Sequence, residues 1–144
     1  MSTIVKKEGA QNSPLNINFI DIREFAENKH KKVDDYPFGE KKGMLLRADV
    51  LTRAIKSIVN YYCYRIIYLC TKWKIFNQQK AFEYQKGKGL IIIPGYYEGI
   101  DERLFSVFDI ERVSIGDFVL SSGEMPALIM AEAICRLIPG VVGK

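Results

Sequence analysis

Two short stretches carry residue types that could hold a ligand through the main chain. "PGYYEG" (94–99) follows a wall of isoleucines, and "SIGDFVLSSGE" (114–124) follows a second apolar run. Glycine lets a backbone approach a bound group closely and turn sharply around it. In open α/β sheets, ligands bind beyond the carboxyl ends of the strands, where loops present backbone donors and acceptors that the sheet cannot use. Neither stretch is GxGxxG, which argues against a dinucleotide site or a Rossmann methyltransferase, and neither is GxxxxGK[ST], which argues against a P-loop. Taken singly, Gly95, Gly99, Gly116 and Gly123 are of a kind that more often merely permits tight turns.

The other chemistries are poorly supplied. Cys63, Cys70 and Cys135 show no CxxC spacing and come with a single histidine, His30, so no metal site is expected. An odd number of thiols fits a reducing, cytoplasmic setting. The amino-terminal residues lack the apolar core of a signal peptide, and no apolar run approaches the roughly 18 residues of a membrane span, so no membrane partner is expected. A net charge of +4 suits an anionic partner such as RNA, and equally a solvated mixed-charge surface.

The elements that must position the glycine-rich stretches are legible along the chain of 144 residues, of which 48% are hydrophobic and 26% charged. "INFIDI" (17–22) reads as a mostly buried strand and lysine-rich 27–43 as a long exposed loop. Val50, Leu51, Ala54, Ile55 and Ile58 recur at helical spacing. "YRIIYL" (64–69) is a second buried strand, Asn77 an N-cap for a helix through "QQKAFEYQ", and "LIIIP" a fully buried strand of parallel type. A helix carrying Leu104, Phe105 and Phe108 follows. A last strand near "VSI" and "FVL" then leads to an apolar helix in "GEMPALIMAEAICRLIPG". Alternating strands and helices predict an α/β fold with a parallel sheet and flanking helices, as one domain over 1–144.

"HKKVDDYPFG", "YEGIDER", "SIGDFVLSSGE" and "RLIPGVVG", in that order and at these separations, resemble the bacterial tRNA (guanine-N(1)-)-methyltransferase (TrmD) family of the SPOUT class. The resemblance implies a carboxyl-terminal trefoil knot that cradles S-adenosylmethionine, a homodimer, and transfer of a methyl group to guanine N(1) of tRNA on the 3′ side of the anticodon. It assigns Gly95, Tyr97, Gly99, Ile115, Gly116, Asp117, Phe118, Val119, Leu120 and Gly123 to the cofactor, and Arg136 and Glu98 to the reaction. His30, Lys31, Lys32, Asp34 and Asp35 face tRNA on the same grounds.

By the same resemblance, the family's first strand, its general-base aspartate and its carboxyl-terminal tRNA-binding domain fall outside this chain. "STIVKK" would lie in the helix after that first strand, leaving the sheet without an internal strand. The family's Ser-Pro-x-Gly loop reads Cys70, Thr71, Lys72 and Trp73, which leaves open whether the indole fills part of the pocket. The alternative function is a catalytically inactive remnant that keeps the knotted fold and at most residual cofactor or RNA binding.

Overall fold

The computed structural model describes residues 2–6, 15–26, 34–35, 45–95 and 99–141. β1 (Ser2–Lys6) and β2 (Asn16–Ile20) pair antiparallel, and a 3₁₀ turn over Ile22–Phe25 follows, capped by the Asp21 carboxylate, which accepts from the Arg23 N–H at 3.0 Å. Next come β3 (Asp34–Asp35), β4 (Leu45–Leu46) and α1 (Ala48–Lys56). β5 (Arg65–Leu69), α2 (Gln78–Gln85) and β6 (Gly89–Ile93) form a strand–helix–strand unit. β7 (Gly99–Ile100), α3 (Leu104–Val107), β8 (Ile110–Val113) and α4 (Glu124–Cys135) complete the chain.

Five strands make one sheet in the order β2-β1-β6-β5-β8, in which β6, β5 and β8 run parallel; β3, β4 and β7 form a small second sheet. Side chains alternate across the large sheet, and both faces are buried. Ile66, Tyr68, Ile91 and Ile93 pack against Val50, Leu51 and Ile55 of α1 and Leu104 of α3. Ile67, Leu69, Leu90 and Ile92 pack against Ala81 and Tyr84 of α2 and Ala127, Met130 and Ile134 of α4. The result is a mixed α/β layer structure with a helix layer on each face. Asn77 caps α2 as expected, its side-chain oxygen accepting from the Lys80 N–H at 2.9 Å. Among the described residues no helix is long and apolar enough to cross a membrane.

A polar cluster ties α2 to the sheet at the amino ends of β5 and β8. Glu111 accepts from Lys80 Nζ at 2.7 Å, from the Tyr84 hydroxyl at 2.9 Å and from Arg65 at 3.2 Å. Burial works against its charged form, yet the hydrogen bonds from Lys80 and Tyr84 outweigh it and hold the carboxyl below the usual glutamate range.

Three expectations need correction. "STIVKK" does not form a helix: Ser2–Lys6 is a strand between β2 and β6, with Ile4 opposite Ile91. Thr3, Ile4 and Val5 are consecutive β-branched residues, which lose side-chain freedom in a helix and favour strands. Their backbone also pairs the flank of β6 that would otherwise stand as an open edge. Second, the strand in "INFIDI" is less buried than its composition suggests, because it lies at the sheet edge and exposes Ile17 and Phe19. Third, "FVL" is not a strand; β8 ends at Val113, and only the Ile75–Ser114 bridge extends its pairing.

Candidate active site

β5, β6 and β8 end at one side of the sheet, and their exits enclose a cleft of about 500 Å³. That volume falls within the roughly 300–1,000 Å³ of small-molecule sites. Tyr68, Leu69, Cys70, Thr71 and Lys72 line it from β5, Gly95 and Gly99 from the exit of β6, and Ser114, Ile115 and Gly116 from the exit of β8. Phe118, Val119, Leu120, Ser121, Ser122, Gly123 and Pro126 close the remaining side.

Two glycine contacts set the shape of this cleft. The Gly123 N–H donates to the Gly95 carbonyl at 2.7 Å, and a Cβ on Gly123 would stand 2.1 Å from the Gly95 nitrogen. A Cβ on Gly95 would meet the Leu69 carbonyl oxygen at 2.5 Å. Three backbone segments therefore touch directly, at a distance that no side chain permits. At the far wall the buried Ser114 hydroxyl donates to the Gly116 carbonyl at 2.9 Å and pins the turn that follows β8. Gly99 is held at φ +141, a conformation that residues with side chains rarely adopt.

Beyond Gly116 the character changes. Among the described residues, 117–122 make no hydrogen bond, so this run presents its backbone N–H and C=O groups without internal partners. Its apolar side chains are also outside the core: Phe118 is 51% exposed and Val119 82%. Backbone groups need partners and apolar surface favours burial, so the run is suited to meeting an amphipathic ligand of the size of the cleft.

Burial works against ionisation of two side chains in the cleft, Tyr68 and Cys70. Burial pushes the Tyr68 phenol up to about 12, with the neighbouring Cys70 sulfur adding to it. Burial likewise pushes the Cys70 thiol up. Among the described residues, no group of three His, Cys, Asp or Glu side chains converges as a metal site would require. Two roomier depressions exist. One of about 750 Å³ lies at the amino ends of β5 and β8, and one of about 990 Å³ is rimmed by Arg47 with Asp49 and Arg103 with Asp101, which already satisfy one another.

With this geometry in place, the comparison with known proteins is decisive: the model of the family described as tRNA (Guanine-1)-methyltransferase TrmD matches residues 1–144. The chain belongs to the tRNA (guanine-N(1)-)-methyltransferase family. It is 45% identical to the tRNA (guanine-N(1)-)-methyltransferase of Clostridium tetani (strain Massachusetts / E88) over 130 residues, 90% of this chain and 54% of that protein. Its identity to the protein of the same name from Syntrophomonas wolfei is 42% over 137 residues, 95% of this chain and 55% of that protein. For Staphylococcus aureus (strain N315) the figures are 40% over 140 residues, 97% and 57%. The chain thus spans about half the length of the curated relatives it matches. Membership of a methyltransferase family implies a methyl donor.

Of the residues the TrmD resemblance singled out for the cofactor, Gly95, Gly99, Ile115, Gly116, Phe118, Val119, Leu120 and Gly123 line the cleft together. Asp117 is exposed and is not part of its lining, while Tyr97 and Glu98, with His30, Lys31 and Lys32, lie outside the described residues. Asp34 and Asp35 form β3, paired with β4. Arg136 caps the carboxyl end of α4, ten positions after Pro126, the last residue of α4 to line the cleft; at 1.5 Å per residue that is about 15 Å along the helix from the cleft of its own chain. Trp73 does not fill the pocket: it stands 52% exposed beside it, with the Arg112 guanidinium 4.9 Å from its ring centre. Residue-type reasoning passed over Tyr68, Ser114, Ser121 and Ser122. The exit of β5 has no glycine to advertise it, though any end of a buried parallel strand is a place to look.

Proposed function

We propose that this chain forms the methyl-donor site of an enzyme that transfers a methyl group from S-adenosylmethionine to N(1) of the guanosine 3′ to the anticodon of tRNA. The observation that carries the reading is the cleft at the carboxyl ends of β5, β6 and β8, in a chain of this family. Its glycines allow backbone-to-backbone contact, and residues 117–122 have backbone groups without hydrogen-bond partners among the described residues.

When bound, S-adenosylmethionine supplies an electrophilic methyl group. The chain's own part is to bind, orient and exclude water. Phe118, Val119 and Leu120 offer an apolar slot of the kind an adenine ring needs, and the backbone around them offers hydrogen bonds to the ring edge. The carbonyl of Gly95 is already taken by Gly123, so Gly95 contributes shape rather than a free acceptor. Guanine N(1) carries a proton that must leave as the methyl group arrives. A guanidinium near the guanine would offset the negative charge that develops. Arg136 is our candidate for that cation, with Glu98 beside the base, and His30, Lys31, Lys32, Asp34 and Asp35 on the tRNA-facing side.

The distance of Arg136 from its own cleft is accounted for by a homodimer. Met125, Leu128, Ile129, Glu132 and Arg136 recur three and four positions apart and share one face of α4, and the first three are exposed. A two-fold axis perpendicular to α4 through that face sets the paired helices antiparallel and brings the carboxyl end of one beside the amino end of its partner. Each cleft would then receive an arginine from the other subunit. The close passage of Gly123 against Gly95 also supports threading of the chain as a trefoil knot, and tRNA as substrate places the reaction in the cytoplasm.

The first test is calorimetric titration of the purified chain with S-adenosylmethionine, followed by methyl transfer to tRNA transcripts. Saturable binding near one site per chain supports the reading; no detectable heat from a folded sample refutes it. Arg136→Ala should leave donor affinity intact while lowering kcat by on the order of a hundredfold. Equal rates would remove Arg136 from the reaction.

A further inference from the structure

The segment leaving β5 reads Lys72, Trp73, Lys74; all three residues are exposed, and Lys72 lines the cleft. Trp73 is the only tryptophan of the chain. Its ring is held from one side: the Arg112 guanidinium lies 4.9 Å from the indole centre. Arg112 is itself fixed, 3.8 Å from the centre of the Phe105 ring and hydrogen-bonded to Glu102 at 2.8 Å. Among the described residues the indole stacks on no other aromatic ring, and 52% of the residue's surface is open, with an exposed lysine before and after it in the chain. A large apolar surface held open in this way is costly unless something covers it. An aromatic plane backed by a cation, with exposed lysines as its chain neighbours, is suited to stack a base while the lysines meet adjoining phosphates.

We propose that Trp73 stacks an unpaired base of the RNA substrate at the mouth of the donor cleft, with Lys72 and Lys74 meeting the adjoining phosphates. The assignment rests on the RNA-directed reading above and adds to it a residue that reads the single-stranded character of the substrate. Stacking is tolerant of base identity but requires the base to be out of a helix, so the platform selects loops over duplexes.

The lone tryptophan makes the proposal directly measurable. The full chain is titrated with an unstructured ten-nucleotide oligoribonucleotide, following tryptophan fluorescence and, in parallel, the anisotropy of a 5′-labelled copy. We expect saturable quenching with the same midpoint in both signals. Trp73→Ala should weaken anisotropy-detected binding on the order of tenfold, whereas Trp73→Phe, which keeps a ring, should stay within about threefold. Lys72→Ala should lower the slope of log affinity against log salt by about 0.7, the contribution of one phosphate on a single strand.

Binding without quenching, undiminished affinity in Trp73→Ala, quenching by S-adenosylmethionine alone, or absence of RNA binding by the wild type each overturns the proposal. The donor titration separates the two readings. Donor binding with an unaffected Trp73→Ala leaves the methyltransferase reading standing without the platform. RNA quenching and its loss in Trp73→Ala, without donor binding, leaves the platform standing without the donor site.

Discussion

Replacing Gly123 with alanine would set a Cβ 2.1 Å from the Gly95 nitrogen, and 2.7 Å from both the Gly95 carbonyl oxygen and the Pro94 carbonyl carbon. Ordinary contact at such pairs is near 3.5 Å, so the two segments must part by about 1 Å. Every atom in the way is backbone, and none can rotate aside. Overpacking of this kind costs about 1–3 kcal/mol, and separation also breaks the 2.7 Å bond from the Gly123 N–H to the Gly95 carbonyl, a further loss of about 1 kcal/mol. The sum, about 2–4 kcal/mol, is below the roughly 5–15 kcal/mol of a typical domain, so Gly123→Ala should fold with a lower urea midpoint. Its donor affinity should drop at least about tenfold, since 1.4 kcal/mol of cleft distortion suffices for that factor. Gly87→Ala is the control: the new Cβ would meet only the Tyr84 carbonyl oxygen at 3.7 Å, and the change should stay within about 0.5 kcal/mol. A Gly123→Ala chain with wild-type urea midpoint and wild-type calorimetric affinity would mean that the two segments do not touch in solution, and the cleft would lose its basis.

Other consequences follow from packing and charge. Ile92 is wholly buried between β1 and β5, so Ile92→Ala should cost about 2–5 kcal/mol, read as a large fall in the urea midpoint. Asn77→Ala removes the acceptor that caps α2 at Lys80 and should cost about 1 kcal/mol. Glu111 is held in its charged form by Lys80 and Tyr84, and its native pKa is lowered. The stability it contributes is therefore present above the ordinary glutamate pKa of about 4.3 and is lost as pH falls through the lower native value. The stability gap between wild type and Glu111→Gln should be widest near neutrality and narrow on acidification; a constant gap would show that the charge is not what matters.

The parts of the fold that were legible are those whose signal is local. The runs at 64–69 and 89–93 are apolar enough to be buried on both faces, and the Asn77 cap and the spacing of Val50, Leu51, Ala54 and Ile55 each declare a helix within one or two turns. Legibility failed where a segment's fate depends on its neighbours. Nothing in "INFI" says that it will lie at an edge with Ile17 and Phe19 in solvent, and nothing in "FVL" says that it will be pulled out of the sheet to wall a cleft. In "STIVK" the β-branched residues did carry the signal, and the family pattern pointed the other way.

For the site the division is similar. The sequence by itself determined its materials: glycines at the exits of two buried strands, an apolar run between two of them, and an ordered set of motifs that names the family. Tertiary structure decided which materials meet. Gly95 and Gly123 are adjacent because parallel β5, β6 and β8 end on one side and α4 packs back across the sheet. The exit of β5 joins them for the same reason, although no glycine marks it. Trp73 stands outside the pocket because Arg112, thirty-nine residues later, offers its guanidinium to the ring. Side-chain chemistry and local spacing are carried by the chain alone; close approach between segments distant in sequence arises only when the sheet's register and the helices packed against it bring them together.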